Sequence, residues 1–173
     1  MLPKLSLVLG GASSGKSAYA EKLILDTSLA PIYIATAQVF DDEMAAKVLR
    51  HKKMRGDGWH TIETPVAVAE ELAAVSLDSA VLLDCVTLWL TNIILGDHDI
   101  DHYTAELVKA LERCKSPVVV VSNEVGQGIV PDNALSRRFR AAQGMLNQTI
   151  AAKADLVVTV MAGLPLTLKG TAP

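Results

Sequence analysis

The apolar residues of this chain fall into short runs that are separated by segments with helical spacing. Within each run, hydrophobic residues occupy consecutive positions, which is typical of strands that are buried on both faces of a parallel sheet. We predict five such strands, at residues 5–9, 31–35, 80–83, 117–122 and Leu156–Met161.

The segments between these runs predict helices. Apolar residues recur at helical spacing from Lys16 onward and over residues 41–54, 104–113 and 134–152. Alternating strands and helices predict an α/β fold, with an open, mostly parallel sheet and helices on both faces. Residues 97–101 predict a polar surface turn, and Leu164–Lys169 predicts an edge strand or hairpin. The sequence contains no evident linker, so we predict a single domain over residues 1–173.

Composition and charge argue against several classes of protein. The 173 residues are 50% hydrophobic and 20% charged, which is typical of a globular protein with a sizeable core. The net charge of -3 gives no general attraction to nucleic acid or anionic membranes, and we expect neither as a partner. A glycine at position 10 interrupts the first apolar run too early for a signal peptide or a membrane span. Cys85 and Cys114 lack metal-site spacing and are predicted to be reduced core cysteines of a cytoplasmic protein.

A glycine-rich segment joins the first predicted strand to the first predicted helix. The glycines let backbone N–H groups point at phosphate oxygens, and the helix start adds its positive dipole end. Lys16 is expected to contact the β- and γ-phosphates, and the Ser17 hydroxyl to ligate Mg²⁺. The segment matches the pattern GxxxxGK[ST], which predicts nucleotide binding in a P-loop NTPase fold of the RecA-like type. The predicted nucleotide-binding residues are Gly10, Gly11, Ala12, Ser13, Ser14, Gly15, Lys16 and Ser17.

A carboxylate that holds the magnesium ion from the other side is expected at the end of a neighbouring strand. Asp84 follows the predicted strand at 80–83 and is the candidate for both nucleotide and metal binding. The alternative is that Asp84 caps a helix that begins at Val86.

The predicted helix at 41–54 contains His51. This helix begins with acidic residues and ends with basic ones, which suits the helix dipole and indicates an ordinary solvent-exposed helix. From the residues alone, His51 is either a surface histidine or a catalytic one. Nothing in the sequence favours a catalytic role for His60, His98 or His102.

Blocks along nearly the whole chain resemble one known family, in the same order. The chain resembles the bifunctional adenosylcobinamide kinase / adenosylcobinamide-phosphate guanylyltransferases of cobalamin biosynthesis. Generic P-loop proteins lack the block at 123–131. The blocks are LGGASSGKS at 9–17, YIATA at 33–37, DEM at 42–44 followed by His51 and Trp59, LDCVTLWLTN at 83–92, NEVGQGIVP at 123–131, and Arg137, Phe139, Arg140, Gly144, Asn147 and Gln148.

The resemblance implies two reactions in one chain. A nucleoside triphosphate, ATP or GTP, phosphorylates adenosylcobinamide; GTP then transfers GMP to adenosylcobinamide phosphate and pyrophosphate is released. In the family a histidine carries the GMP, and His51 is the position that fits. A neutral imidazole is a competent nucleophile near pH 7 and leaves well from a phosphoramidate. The resemblance also implies a homo-oligomer, because a sheet of this size gives little depth to enclose a corrinoid.

Further residues of the matching segments have candidate roles in substrate binding. Glu63 is predicted to bind a guanosine group or to position the acceptor, with a solvated loop carboxylate as the alternative. Asn123 and Glu124 follow a strand, at the edge where open α/β sheets bind ligands. Arg137 and Arg140 lie about one helical turn apart and are predicted to clamp phosphate, with an exposed basic face as the alternative.

The chain departs from the family pattern at two positions, and two other functions stay open. Ser13 stands where the family usually has arginine, and Ala141 stands where aspartate is common, which leaves the nucleotide preference open. One alternative function is a P-loop small-molecule kinase without nucleotidyl transfer. The other is a nucleotide-binding switch; a GTPase switch would show an Asn-Lys-x-Asp segment, whereas Asn123 is followed by Glu124.

Overall fold

A computed structural model describes residues 1–38, 56 and 58–173 of the chain. The predicted helix at 41–54, with His51, lies outside these residues. None of the described helices is both long and apolar enough to cross a membrane. The strands are β1 Leu5–Gly10, β2 Ala30–Ala35, β3 His60–Glu63, β4 Ser79–Asp84, β5 Val118–Asn123, β6 Leu156–Met161 and β7 Leu164–Lys169. The described helices are α1 Lys16–Leu25, α2 Val68–Ala74, α3 Val86–Leu95, α4 Ile100–Arg113 and α5 Ala134–Lys153.

The seven strands form one sheet in the spatial order β3-β2-β4-β5-β1-β6-β7. The first six are parallel, and β7 pairs antiparallel with β6 at the edge, which confirms the predicted α/β architecture with a C-terminal edge strand. Strand β5 lies between β1 and β4, with Gly10 opposite Asn123 and Val121 opposite Asp84. The carboxyl ends of these three strands therefore meet at one edge of the sheet.

The core lies on both faces of the sheet because successive residues of a strand point to opposite faces. Leu5 and Leu7 of β1 pack with the cluster that includes side chains of α2, α3, α4 and α5. Val8 belongs to the second cluster, which contains side chains of α1. Leu7 and Val8 are both fully buried, and each such side chain contributes about 1.5–3 kcal/mol. Burial on both faces explains why the strands are continuous apolar runs in the sequence.

Several local features differ from the sequence prediction, and among them helix α3 was expected only in the alternative that Asp84 caps a helix beginning at Val86. Strand β3 was not predicted, because Ile62 is its only strongly apolar residue and pairing with β2 holds it in the sheet. The seven-residue helix α2 was also not predicted. The predicted turn over residues 97–101 was wrong for its last two residues, because they belong to helix α4, which begins at Ile100. The Asp99 carboxylate starts this helix by accepting hydrogen bonds from the backbone N–H groups of residues 101 and 102.

Candidate active site

The predicted nucleotide-binding segment forms a tight loop between β1 and α1. The backbone N–H of Ser14 donates to the carbonyl of Gly11 at 3.3 Å, and the Lys16 ammonium donates to the same carbonyl at 3.0 Å. Gly15 caps α1 with φ of 95°, in the left-handed region that favours glycine. A Cβ atom on Gly10 would lie 2.7 Å from the carbonyl oxygen of Val160. The loop therefore requires glycine at both positions, and it places the positive end of the α1 dipole beside Lys16.

The turn between β6 and β7 supports this loop from outside. The backbone N–H of Gly163 donates to the carbonyl of Ser14 at 2.9 Å. A Cβ atom on Gly15 would lie 3.2 Å from the Cα of Gly163, so the two backbones are in close contact. The hairpin formed by β6 and β7 thus supports the loop over residues 10–17, which is called the phosphate loop below.

Asp84 lies at the carboxyl end of β4 and is held by Tyr33. The Tyr33 hydroxyl donates to Oδ2 of Asp84 at 2.7 Å. The Tyr33 ring in turn meets the Trp59 ring edge-on, with centroids 6.0 Å apart. The N-cap of α3 is Cys85, and no side-chain capping bond forms there. In the described part of the chain, Asp84 thus accepts from Tyr33 and does not cap α3.

Cys85, next to Asp84, is not a nucleophile at neutral pH. Burial, and after it the charge of the Asp84 carboxylate, raises the pKa of the thiol from 9.0 to about 11, although the backbone of Leu88 and Thr87 and the Lys16 ammonium act in the opposite direction. Because the thiolate is the reactive form, the protonated Cys85 is inert. Burial also raises the pKa of Cys114. Both cysteines are buried and free, as predicted.

Asn123 lies at the end of β5, between the phosphate loop and Asp84. Its backbone N–H donates to the Thr87 hydroxyl at 2.8 Å, and its carbonyl accepts from the Asn147 side-chain amide at 3.3 Å. The next residue ties this strand end to the phosphate loop, since the Glu124 N–H donates to the Gly10 carbonyl at 3.1 Å. The backbone of Asn123 is therefore fixed on both sides.

The two predicted phosphate-clamping arginines contact the loop that follows β5. Arg140 donates from Nη2 to the carbonyl of Gly126. Arg137 donates from Nη1 to the carbonyls of Pro131 and Asp132, at 3.0 and 2.6 Å. These bonds hold residues 124–133 against α5. Both arginines also line a groove of about 420 Å³ together with Gly126, Val130, Ala141, Gly144, Met145 and Gln148.

Glu63, predicted to bind nucleotide, and Glu124, predicted to bind substrate, occupy different places. Glu124 folds back on its own loop, and its Oε1 accepts from the Gly126 N–H at 2.5 Å. Glu63 ends β3, four strands from β1 in the sheet order. With strands about 4.8 Å apart, Glu63 lies about 19 Å along the edge from Gly10. The structure therefore brings Glu124, but not Glu63, next to the phosphate loop.

The predicted ligands of Mg²⁺ are the Ser17 hydroxyl, in the first turn of α1, and the Asp84 carboxylate, at the end of β4. Among the described residues, no group of three or more His, Cys, Asp or Glu side chains could hold a metal. A hydroxyl and one carboxylate oxygen suit Mg²⁺, which takes few protein ligands and completes its shell with phosphate oxygens and water. The residues present thus fit the predicted magnesium site.

Several residues that shape this edge were not assigned a role from the sequence. Tyr33 holds Asp84, Thr87 and Asn147 hold Asn123, and Gly163 supports the phosphate loop. The available signal was weak: Thr87 and Asn147 are polar residues that are almost fully buried in their helices. Such residues need hydrogen-bond partners, which marks them as structural or positioning groups.

Comparison with known proteins identifies a family. The model of the family described as "Cobinamide kinase / cobinamide phosphate guanyltransferase" matches residues 6–168. The chain is 42% identical to the bifunctional adenosylcobalamin biosynthesis protein CobP of Pseudomonas aeruginosa over 167 residues, covering 95% of this chain and 96% of that protein. It is 41% identical to the bifunctional adenosylcobalamin biosynthesis protein CobU of Escherichia coli K12 over 179 residues, covering 94% and 98%.

Solved structures show the same fold at low sequence identity. A prototypical ATPase from the type III secretion system of pathogenic bacteria superposes with a TM-score of 0.54 at 12% identity, over 96% of this chain and 57% of that one. The predicted RecA-like P-loop fold is confirmed.

Proposed function

Because the chain belongs to the cobinamide kinase / cobinamide phosphate guanyltransferase family, we propose that a single site on the phosphate loop serves both reactions on adenosylcobinamide. The chain is an enzyme, a kinase and guanylyltransferase of cobalamin biosynthesis. The observation that carries the proposal of one site is the meeting of the phosphate loop, Asn123 and Asp84 at adjacent strand ends. Each reaction requires the same triphosphate chain to be held there.

In the first reaction, the hydroxyl oxygen of adenosylcobinamide attacks the γ-phosphorus of ATP or GTP. The bond from phosphorus to the β,γ-bridging oxygen breaks, the nucleoside diphosphate leaves, and the hydroxyl proton is released to water. Lys16 and the loop N–H groups hold the β- and γ-phosphates, so the contribution of the protein is positioning and charge neutralisation. Ser17 and Asp84 would hold Mg²⁺, which neutralises phosphate charge when it is bound.

In the second reaction, GMP passes through a histidine. We assign that role to His51, which lies outside the described residues. An imidazole nitrogen attacks the α-phosphorus of GTP, a P–N bond forms and pyrophosphate leaves. The phosphate oxygen of adenosylcobinamide phosphate then attacks the same phosphorus and releases the histidine. The phosphate loop holds the departing pyrophosphate, as it holds the β- and γ-phosphates in the first reaction.

The groove beside α5 is the proposed site for the phosphorylated arm of the acceptor. Arg137 and Arg140 line it, and each guanidinium has five donors, of which the loop carbonyls occupy only part. The remaining donors suit a phosphate, and the apolar walls suit a corrinoid arm. Asn123 and Glu124 are proposed to contact the acceptor beside the phosphate loop, to which the Glu124 N–H is bonded. Glu63, farther along the edge, is proposed to bind the guanosine end of GTP.

The enzyme is proposed to act in the cytoplasm as a homo-oligomer. Edge strand β7 exposes a row of alternate leucines: Leu164, Leu166 and Leu168 are 72%, 61% and 58% exposed. A two-residue repeat puts them on one side of the strand. An apolar strand at a sheet edge favours association, and a second copy of the chain is the partner that the family resemblance implies.

Replacement of Lys16 tests whether one site serves both reactions. Lys16→Ala should lower both the phosphorylation rate and the GMP-transfer rate by about 100-fold or more, because both need the phosphates held. Lys22→Ala is the matched control on the same helix, since Lys22 forms only an exposed ion pair with Asp26, and its rates should be unchanged. Loss of one reaction alone in Lys16→Ala would contradict a shared site.

The same assay decides between the two enzymes left open by the sequence. The bifunctional enzyme converts adenosylcobinamide phosphate and GTP into adenosylcobinamide-GDP and pyrophosphate. A kinase without nucleotidyl transfer makes only adenosylcobinamide phosphate. Chromatography of the corrinoid products distinguishes the two.

A further inference from the structure

The end of β5 is held by buried polar side chains from two helices that are distant in sequence. Thr87, in the first turn of α3, is 7% exposed and accepts the backbone N–H of Asn123 at 2.8 Å. Asn147, in α5, is also 7% exposed and donates its side-chain amide to the carbonyl of Asn123 at 3.3 Å. Both main-chain polar groups of Asn123 are thus bound to side chains.

The orientation of the Asn147 amide is set by a second layer of hydrogen bonds. Its Oδ1 accepts from the Ser122 hydroxyl at 2.6 Å and from Nε2 of Gln143 at 3.0 Å. Nε2 of Gln143 also donates to the Ser122 hydroxyl at 2.9 Å. Because Oδ1 faces these donors, Nδ2 must face the carbonyl of Asn123. Ser122 and Gln143 are fully buried, so water cannot easily replace these bonds.

The position that this network fixes is central to the site. Strand β5 lies between β1, which leads into the phosphate loop, and β4, which ends at Asp84. The adjoining Glu124 N–H is bonded to the Gly10 carbonyl. The Asn123 side chain makes no hydrogen bond to any residue in the described part of the chain, which leaves its amide available to a ligand.

From this arrangement we propose that Thr87 and Asn147 are positioning residues, which hold Asn123 so that its side-chain amide meets the phosphate groups of the substrates. The inference rests on the proposed function for the identity of the substrates. Neither residue touches substrate itself; each acts through the backbone of Asn123. Small displacements of a positioning group are costly, since a shift of about 1 Å can lower a rate by about 100-fold.

Three variants of α3 test the role of Thr87. Thr87→Val keeps the shape of the side chain but removes the acceptor, and should lower kcat for adenosylcobinamide phosphorylation by about 10-fold or more. Thr87→Ser keeps the hydroxyl, and its kcat should stay within about threefold of that of the native enzyme. Thr91→Val is the matched control one turn along the helix, because the Thr91 hydroxyl donates only to the carbonyl of Thr87. A Thr87→Val enzyme no slower than Thr91→Val would overturn the inference.

A double-mutant cycle tests whether Thr87 acts through Asn123. If it does, Thr87→Val should lower kcat by less than about twofold when it is introduced into the Asn123→Ala enzyme. The reason is that the effects of substitutions at contacting residues that act together are not additive. Independent structural damage would instead multiply the two defects. Multiplied defects, or an Asn123→Ala enzyme with native rates, would contradict the inference.

Two measurements that need no turnover separate this inference from the proposed function. In Thr87→Val, the amide hydrogen of Asn123 should exchange about 10-fold faster or more, and the Kd for GTP should rise about 10-fold; Thr87→Ser should change neither. Faster exchange with an unchanged Kd and an unchanged kcat would show a merely structural bond and overturn the inference. Native protein that phosphorylates no adenosylcobinamide would refute the proposed function, while exchange and GTP binding would still decide the role of Thr87.

Discussion

At the scale of single residues, the direction of the Asp84 carboxylate depends on Tyr33. The hydroxyl of Tyr33 donates to Oδ2 of Asp84 at 2.7 Å. Hydrogen bonds to charged groups contribute about 1.5–3 kcal/mol, which is enough to select one carboxylate rotamer. Outer partners of this kind orient the groups that bind a metal ion. Tyr33 is therefore expected to set the geometry of the magnesium site without touching the metal.

Tyr33→Phe tests this dependence. Loss of the hydroxyl should raise the Mg²⁺ concentration needed for half-maximal phosphorylation by about 10-fold, the range seen when outer partners of metal ligands are removed. Tyr19→Phe is the control, because Tyr19 packs against the same core cluster from α1 and its magnesium requirement should not change. Equal magnesium requirements in the two variants would show that Tyr33 contributes only to core packing and does not orient Asp84.

At the scale of helices and strands, α3 fastens the ends of two strands. Asn92 of α3 is 7% exposed, and its amide donates to the carbonyls of Thr36 and Pro65 at 2.8 and 3.0 Å. Thr36 follows β2 and exchanges hydrogen bonds with the backbone of Cys85, which follows β4. One buried amide thus ties α3 to the segments after β2 and β3, at the edge that carries the site.

Asn92→Leu measures the contribution of this connection. The substitution leaves the buried carbonyl of Thr36 and the partly buried carbonyl of Pro65 without this donor, so the free energy of unfolding should fall by about 1–3 kcal/mol. Thr91→Val, on the neighbouring residue of α3, should change it by less than about 0.5 kcal/mol. Urea unfolding of both variants and the native protein provides the measurement. Equal stabilities of the two variants would contradict a connecting role for Asn92.

The elements also show which parts of the protein could be predicted from the sequence. The buried strands and the tight loop between β1 and α1 depend on local patterns, and both elements were predicted correctly. The bonds that complete the site join residues far apart in sequence: Tyr33 and Asp84 are 51 positions apart, and Thr87 and Asn123 are 36. Parallel crossovers bring such residues together, and no local pattern encodes that pairing.

At the scale of the whole molecule, the sheet order explains why one edge holds the site. The order β4-β5-β1 places Asp84, Asn123 and the phosphate loop side by side. Strand β7, two strands from β1, forms one lateral edge of the sheet, and its six residues are all exposed. The same antiparallel hairpin supports the phosphate loop through Gly163. Assembly through β7 would therefore act on the element that braces the site.

Substitution on β7 tests the proposed assembly. The native protein should sediment at a multiple of the 18.4 kDa chain, whereas Leu166→Lys should sediment as a single chain, because a buried lysine would oppose apolar contact. Thr167→Lys adds the same charge at the next residue, whose side chain points to the other side of the strand, and should keep the native mass. A native protein that sediments as a single chain would contradict the proposal.

The central claim, that this enzyme transfers GMP through His51 as well as phosphorylating its acceptor, is tested most directly by incubation with α-labelled GTP. The native protein and the control His102→Ala should retain the label in a bond that acid breaks and alkali does not, as expected of a phosphoramidate. His51→Ala should retain no label and make no adenosylcobinamide-GDP, yet it should still phosphorylate adenosylcobinamide, since that step needs no protein nucleophile. A label that persists in His51→Ala, or one that survives acid, would contradict this account.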